Sequence, residues 1–223
     1  MTSARTTRTR QGRSQQGRSY QGLSAAERCA ERRERLLAAA RVVYGGQGYR
    51  HSTVKAVCDE AGLTQRYFYE EFASQEALLG AAYARAMGEV RGLLLTAWAA
   101  EATLEGRVQA TASTYFGYLH ANPQAARLIL LETEGVSGNV GAVVARELAE
   151  TTRLLREHLL YGAQAGELDP DLLALGLLGA ICQLAKAWWT HPQPPSADKM
   201  AAHAAAIGLG VVGAGEPLRP EKS

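Results

Sequence analysis

Apolar residues in this chain recur at every third or fourth position in one segment after another, and no segment alternates with the period of two that a half-buried strand requires. Leu36, Ala40, Val43 and Tyr44 form the first such stripe. Upstream of it, Ser24-Ala-Ala-Glu27 has the form of a capping box, in which hydroxyl and carboxylate each satisfy an orphan backbone N–H. The spacing therefore predicts a helix from Ser24 to the Gly45-Gly46-Gln47-Gly48 break, with Arg28, Arg32, Arg33 and Arg35 mostly elsewhere on its surface. Val54, Val57, Cys58 and Ala61 predict a second, short helix opened at Ser52, with a narrow inner face of small residues. Gly62 falls where a helix takes a left-handed C-terminal residue, and Thr64 stands where it would cap the next helix. Two short helices across a tight turn are the grammar of a helix-turn-helix.

Beyond Ser74 the same period continues almost to the end. Breaks fall at Gly106, Asn122-Pro123, Gly135 to Gly138, Gly166 to Pro170 and His191 to Pro195, which predicts helices near 75–101, 104–121, 124–134, 140–165, 171–190 and 197–212. Asn122-Pro123 and Asp169-Pro170 each set a capping residue before a proline suited to a first helical turn. The expected fold is all-α, with no internal repeat. A basic tail over 1–22 is expected to be disordered, followed by a three-helix unit over 23–73, a larger helical unit over 74–213 and a flexible tail over 214–223.

Composition changes this picture mainly through charge. The net +2 of the 223 residues hides an asymmetry: residues 1–50 hold 11 Lys or Arg against 3 acids, whereas the chain after Ala73 holds 11 against 15. A basic front end points to a polyanion, and nucleic acid is the first partner to expect. The tail, with Arg5, Arg8, Arg10, Arg13 and Arg18, reads either as an arm for phosphate or minor groove or as a solubilising extension. Cys29, Cys58 and Cys182 are dispersed and odd in number, which fits a reducing cytoplasm. The start of the chain has no apolar stretch of the signal-peptide kind, and the apolar run from Leu172 to Cys182 reads as a buried helix with no role in a membrane.

The strings that suggest catalysis have plainer explanations. Ser52-Thr53-Val54-Lys55 matches S-x-x-K, but the motifs that accompany it in serine hydrolases are missing and a helix cap accounts for the serine. Gly45 to Gly48 follows no strand and precedes no Lys-Ser or Lys-Thr. His51, His120, His158, His191 and His203 have no metal-ligand spacing. No catalytic residue, metal site or cofactor is expected.

From Arg33 to Tyr83 the chain resembles the DNA-binding half of the TetR family of regulators. The likeness rests on an apolar helix followed by Gly48-Tyr49, Thr53-Val54, Ala61-Gly62-Leu63-Thr64, Tyr69-Glu70-Glu71-Phe72 and Ser74-Gln75-Glu76-Ala77-Leu78-Leu79, in order and nearly without gaps. The resemblance implies roughly nine helices, the first three binding DNA and the rest forming a dimerising domain that accepts a ligand. By position it makes 64–72 the recognition helix, with Phe68 and Phe72 turned inward. Gln65 then faces adenine, Arg66 faces guanine, Tyr67 and Tyr69 reach phosphate or a thymine methyl, and Thr53, Lys55 and the helix start at Thr64 hold phosphates. The family commonly has a small residue where Arg66 stands and a lysine at Gln75, so the base pattern read here differs. Glu70 and Glu71 could accept from cytosine N4 but are expected to point to solvent.

In the larger unit, Trp98, Tyr115, Leu119, Arg127 and Gln183 are the candidate walls of a ligand pocket, Arg127 being available to an acidic group. The last two helices are rich in Ala, Leu and Gly, and Gly176, Gly179, Gly208 and Gly210 would let a second copy approach closely as a homodimer. The expected function is a dimeric repressor released from operator DNA by an unidentified small molecule. The alternatives are a ligand-independent repressor or activator with a filled second domain and, behind it, a helical enzyme and then a nonspecific DNA-coating protein.

Overall fold

The computed structural model of the chain describes residues 24–136, 138–159 and 168–213; the N-terminal basic tail, the last part of the helix expected over 140–165 and the C-terminal tail lie outside them. The described residues form nine α-helices and no strand. They are α1 (Ala25–Gln47), α2 (Val54–Ala61), α3 (Gln65–Glu71), α4 (Gln75–Ala100), α5 (Leu104–Ala121), α6 (Pro123–Leu130), α7 (Asn139–Leu159), α8 (Pro170–Thr190) and α9 (Ala197–Gly213), with one 3-10 turn at Tyr49–His51.

The local signals act largely as the sequence leads one to expect. Ser24 and Glu27 close a reciprocal capping box. Gly62 takes the left-handed conformation (φ 62°, ψ 38°) and its N–H turns back to the end of α2, while the Leu63 N–H reaches the Cys58 carbonyl at 2.9 Å. Asp169 caps α8 through the Asp171 N–H. Three details differ. Thr53, not Ser52, caps α2, its hydroxyl accepting from the Ala56 N–H; Ser52 is buried and donates to the Gly48 carbonyl at 2.6 Å. The Thr64 side chain makes no capping bond, and Asn122 turns its amide back to the Tyr118 carbonyl while its oxygen accepts from Arg41. Helix α6 stops at Leu130, short of residue 134, because the Leu131 and Glu132 N–H groups both fold back onto the Arg127 carbonyl.

Packing sorts these helices around α4, which at 26 residues is about 39 Å long. Its first half shares a core with the helix-turn-helix: Leu78, Leu79, Ala82 and Ala86 pack with Leu36, Ala40, Tyr44, Val57, Phe68 and Phe72, and with Leu128 and Val140 from later helices. Val90 belongs to a second core with Phe116, Leu119, Ala126, Trp188 and Ala201, where α5 lies along α9. A third cluster, with Val108, Leu159, Leu177 and Ala205, closes the far end. Gly208, expected at a subunit interface, faces its own chain instead: a Cβ there would lie 3.2 Å from the Val108 side chain.

At the seam between α1 and α6 the two backbones approach closely. A Cβ on Gly45 would lie 2.3 Å from the Gln124 carbonyl oxygen, whereas at Gly46 it would meet nothing within 4 Å. Gly45→Ala should therefore destabilise the fold by about 1–3 kcal/mol through overpacking. Gly46→Ala should stabilise it by up to about 1 kcal/mol by lowering backbone entropy in the unfolded chain. Urea denaturation followed by circular dichroism measures both, and equal effects would contradict this packing.

Candidate functional site

The exposed end of the helix-turn-helix carries the residues that the sequence singles out. Phe68 and Phe72 are buried, which turns the opposite side of α3 outward. Thr64, Gln65, Arg66, Tyr67 and Tyr69 are all exposed there, with Thr53 and Lys55 exposed at the start of α2. The Arg66 side chain is 85% accessible and, among the described residues, engaged only by Glu70, at 3.0 Å one helical turn on. Lys55 pairs in the same way with Asp59 at 2.5 Å. Exposed pairs of this spacing contribute about 0.3–0.5 kcal/mol, so both cations can leave their carboxylates for a stronger anion at little cost.

The arginines of α1 behave differently. Arg32 holds Glu71 at 3.1 Å, and only 4% of the Glu71 side chain is accessible; the solvent-facing role expected for this glutamate is replaced by an internal one. Glu70, by contrast, remains exposed between Arg66 and Arg32. The Cys29 thiol donates to Glu71 at 3.1 Å, and its pKa is raised, chiefly by that bond. Arg32 also lies 4.8 Å over the Tyr67 ring, and Arg33 lies 4.4 Å over Phe72 while donating to the Glu71 carbonyl. Arg35 donates to the carbonyls of Ala61 and Gly62, satisfying the C-terminal end of α2 with a cation. These side chains fasten α2 and α3 to α1. Nothing in their local sequence distinguishes an internal clamp from a solvated charge, because every partner lies 26 to 42 positions away.

A second set of polar contacts joins this unit to the helices behind it. Gln75, at the start of α4, donates to the Ser52 carbonyl at 2.9 Å. Arg127 donates to Glu132 at 2.6 Å and to the Gly46 carbonyl at 2.9 Å, and Glu132 accepts from the Tyr49 N–H at 2.6 Å. Arg127, a candidate pocket residue, is thus engaged between α6 and the loop after α1.

Between α4, α5, α7 and α8 lies a cavity of about 430 Å³. Of the candidate pocket residues, Trp98 and Tyr115 line it; Leu119 is fully buried in the second core, and Gln183 is exposed on the outer side of α8. Most of the wall is aliphatic. Its polar groups include Arg91, Thr111, Lys186 and Glu134, the last two ion-paired with each other. Burial pushes the Tyr83 phenol up to about 12 and raises Tyr115 and Cys182, so all three are neutral at physiological pH. Arg91 and its partner Glu147 are absent from the sequence-based candidates, although Arg91 shares the helical face of Met87, Leu94 and Trp98, and Glu147 that of Val143 and Val144. A charge inside an apolar stripe was the available signal.

The outer side of α8 is the remaining unusual surface. Leu172, Leu175, Gly176, Gly179, Ala180, Gln183 and Ala187 form an exposed stripe, although α8 is long and apolar enough to cross a membrane by length and composition. The expectation of a buried helix is corrected: 22% of its most apolar window is buried, because only one side packs on the chain. On α9, Ala202, Ala206 and Gly210 are also exposed.

Comparison with known proteins agrees with this architecture. The family model described as bacterial regulatory proteins, tetR family, matches residues 36–82. No curated protein matches the chain significantly. Among solved structures, the fatty acid degradation regulator FadR of Bacillus halodurans is 20% identical, with a TM-score of 0.72, covering 80% of this chain and 95% of that one. FadR of Bacillus subtilis, solved in complex with stearoyl-CoA, is 20% identical, with a TM-score of 0.70, covering 81% and 98%. A tetR-family regulatory protein of Rhodococcus RHA1 is 21% identical, with a TM-score of 0.64, covering 81% and 96%.

The two classes of arginine should separate in a stability experiment. Arg32→Ala strips a nearly inaccessible carboxylate of its cation and should cost about 1–3 kcal/mol. Arg66→Ala should stay within about 0.5 kcal/mol of the parent. Thermal unfolding distinguishes them, and a reversed order would mean that the clamp is misassigned.

Proposed function

We propose that this chain is a member of the TetR family of bacterial regulatory proteins, whose model matches residues 36–82, and works as a homodimeric repressor that leaves its operator when an apolar small molecule fills the cavity. The observation that carries the reading is the double role of α4. Its N-terminal half is packed into the core of the helix-turn-helix, and its residues from Tyr83 to Trp98 wall the cavity. A ligand that changes the tilt of α4 necessarily moves the unit that carries Arg66.

On DNA, Arg66 reads guanine O6 and N7 from the first turn of α3, Gln65 reads adenine, and Tyr67 and Tyr69 contact phosphate or a thymine methyl. Thr53, Lys55 and the backbone N–H groups after Thr64 hold phosphates. The exposed stripe of α8, with Gly176, Gly179 and Gln183, and the outer residues of α9 meet their copies across a two-fold axis in a four-helix bundle. Covering that stripe with a second subunit explains how so apolar a helix is accommodated without a bilayer. The dimer then presents two recognition helices about 34 Å apart, one for each successive major groove.

Release requires only that the effector prefer the conformation that does not fit DNA, with a coupling of about 1–3 kcal/mol. The cavity favours this reading over a regulator with a filled second domain, since 430 Å³ lies within the usual size range of small-molecule sites. The stearoyl-CoA complex of the Bacillus subtilis relative is consistent with an effector that is largely hydrocarbon.

Two outcomes are expected. In genomic fragment selection at moderate salt, the native chain enriches a palindromic site, and Arg66→Ala relaxes one position of each half-site at a cost of about 1–3 kcal/mol. Indifference to fragment sequence, with Arg66→Ala the same as native, would defeat the specific-regulator reading. In sedimentation analysis the native chain runs as a dimer, whereas Gly179→Arg, which puts a long cation in the middle of the α8 stripe, runs as a folded monomer and loses operator affinity. A native monomer, or a Gly179→Arg dimer, would exclude this interface.

A further inference from the structure

The cavity wall holds one ionic contact whose geometry is unfinished. Arg91 Nη1 on α4 lies 2.7 Å from Glu147 Oε2 on α7, yet neither atom attains hydrogen-bond geometry with any partner, and both are inaccessible. Glu147 lies behind Arg91 and does not itself line the cavity; 8% of its side chain is accessible. Glu147 also has a second cation, Arg146, at 3.1 Å. Among the described residues Arg91 makes no second ion pair: Glu150 lies close enough to feel its charge but is itself bound to Arg153. A guanidinium carries five N–H donors in a fork shaped for two carboxylate oxygens, and here that fork borders an apolar space.

Resting on the ligand-responsive reading above, we propose that the effector is a flexible aliphatic carboxylic acid, and that its carboxylate replaces Glu147 as the partner of Arg91. The charges favour such an exchange. Removing Glu147 from Arg91 would leave a poorly solvated cation, which is costly unless another anion arrives with it. The glutamate, in turn, keeps Arg146 at the protein surface, where the Arg146 side chain is 66% accessible. The other cation of the wall, Lys186, is already paired with Glu134, which leaves Arg91 as the place for a new negative charge. Thr111 adds a buried hydroxyl without a partner, suited to a second contact with the head group.

The shape of the wall selects the rest of the molecule. On α4 the lining residues run from Tyr83 to Trp98, about 22 Å along the axis, with Arg91 near the middle. Leu94, Leu95, Leu148, Leu155, Leu177 and Ile181 supply aliphatic surface with no polar group to satisfy. An unbranched chain attached to the head group fits such a space. Because Arg91 and Glu147 join α4 to α7, seating the acid unties one of the contacts that hold α4 in place.

The test is calorimetric titration of the full-length protein with the even-numbered fatty acids from octanoate to tetradecanoate, with the matching alcohols, and with dodecanoyl-CoA. At least one acid is expected to bind about tenfold more tightly than its alcohol, the equivalent of one charge-assisted hydrogen bond. Arg91→Gln should abolish that margin, Arg91→Lys should retain part of it, and Glu147→Gln should tighten the acid by removing its competitor. Binding of the alcohol to Arg91→Gln reports that the cavity is still folded. Equal affinities of acid and alcohol for the native protein, an unchanged margin in Arg91→Gln, binding of the thioester alone, or no binding by any acid would each overturn the proposal. Operator release by the alcohol or the thioester would do so while leaving the ligand-responsive regulator standing.

Discussion

Helix α4 runs through all three hydrophobic cores, and the rest of the structure follows from that constraint. Leu78, Leu79, Ala82 and Ala86 complete the core of a helix-turn-helix whose own helices α2 and α3 have only eight and seven residues. Helices so short are marginal alone and owe their stability to tertiary packing. From one turn further on, Val90, Leu94 and Trp98 belong to the second and third cores and to the cavity wall. A continuous helix joins the two regions with no flexible linker, so a displacement at one end is carried to the other.

A second tie works in parallel. The Arg127–Glu132 pair sits at the end of α6, between the Gly46 carbonyl and the Tyr49 N–H on one side and the cavity-lining residues Ile129, Leu130, Thr133 and Glu134 on the other. The close approach of Gly45 to Gln124 leaves this seam little room to slide. The helix-turn-helix is thus held by apolar packing along α4 and by directional hydrogen bonds at α6.

The charge pattern is divided between two tasks. Arg32, Arg33 and Arg35 are spent inside the protein on Glu71, Phe72 and the carbonyl end of α2. Arg66 and Lys55, held only by weak exposed pairs, remain available for a polyanion. A basic segment therefore does not translate residue by residue into a DNA-contacting surface. In the cavity, likewise, Lys186 is paired by Glu134 across the wall, whereas Arg91 is held by an imperfect contact with Glu147.

The sequence by itself determined the helical class, the positions of the helices and the helix-turn-helix. Those rest on local physics: the apolar period, the Ser24–Glu27 box, the left-handed glycine at Gly62 and the proline at the start of α8 all act within a few residues of themselves. The family resemblance then indicated which side of α3 faces outward, and the burial of Phe68 and Phe72 agrees with it. Tertiary structure alone decided what the long-range partners are. Glu71 is an internal anchor because Arg32 stands 39 positions earlier, and Arg127 is an inter-helix tie because Gly46 stands 81 positions earlier. Leu119 went to the core and Gln183 to the outer surface, while Arg91 came to the cavity wall, because the rotation of α5, α8 and α4 about their axes is set by the neighbours they pack against. Periodicity identifies the faces of a helix; which neighbour each face meets depends on contacts between segments far apart in the chain, and no local spacing encodes them.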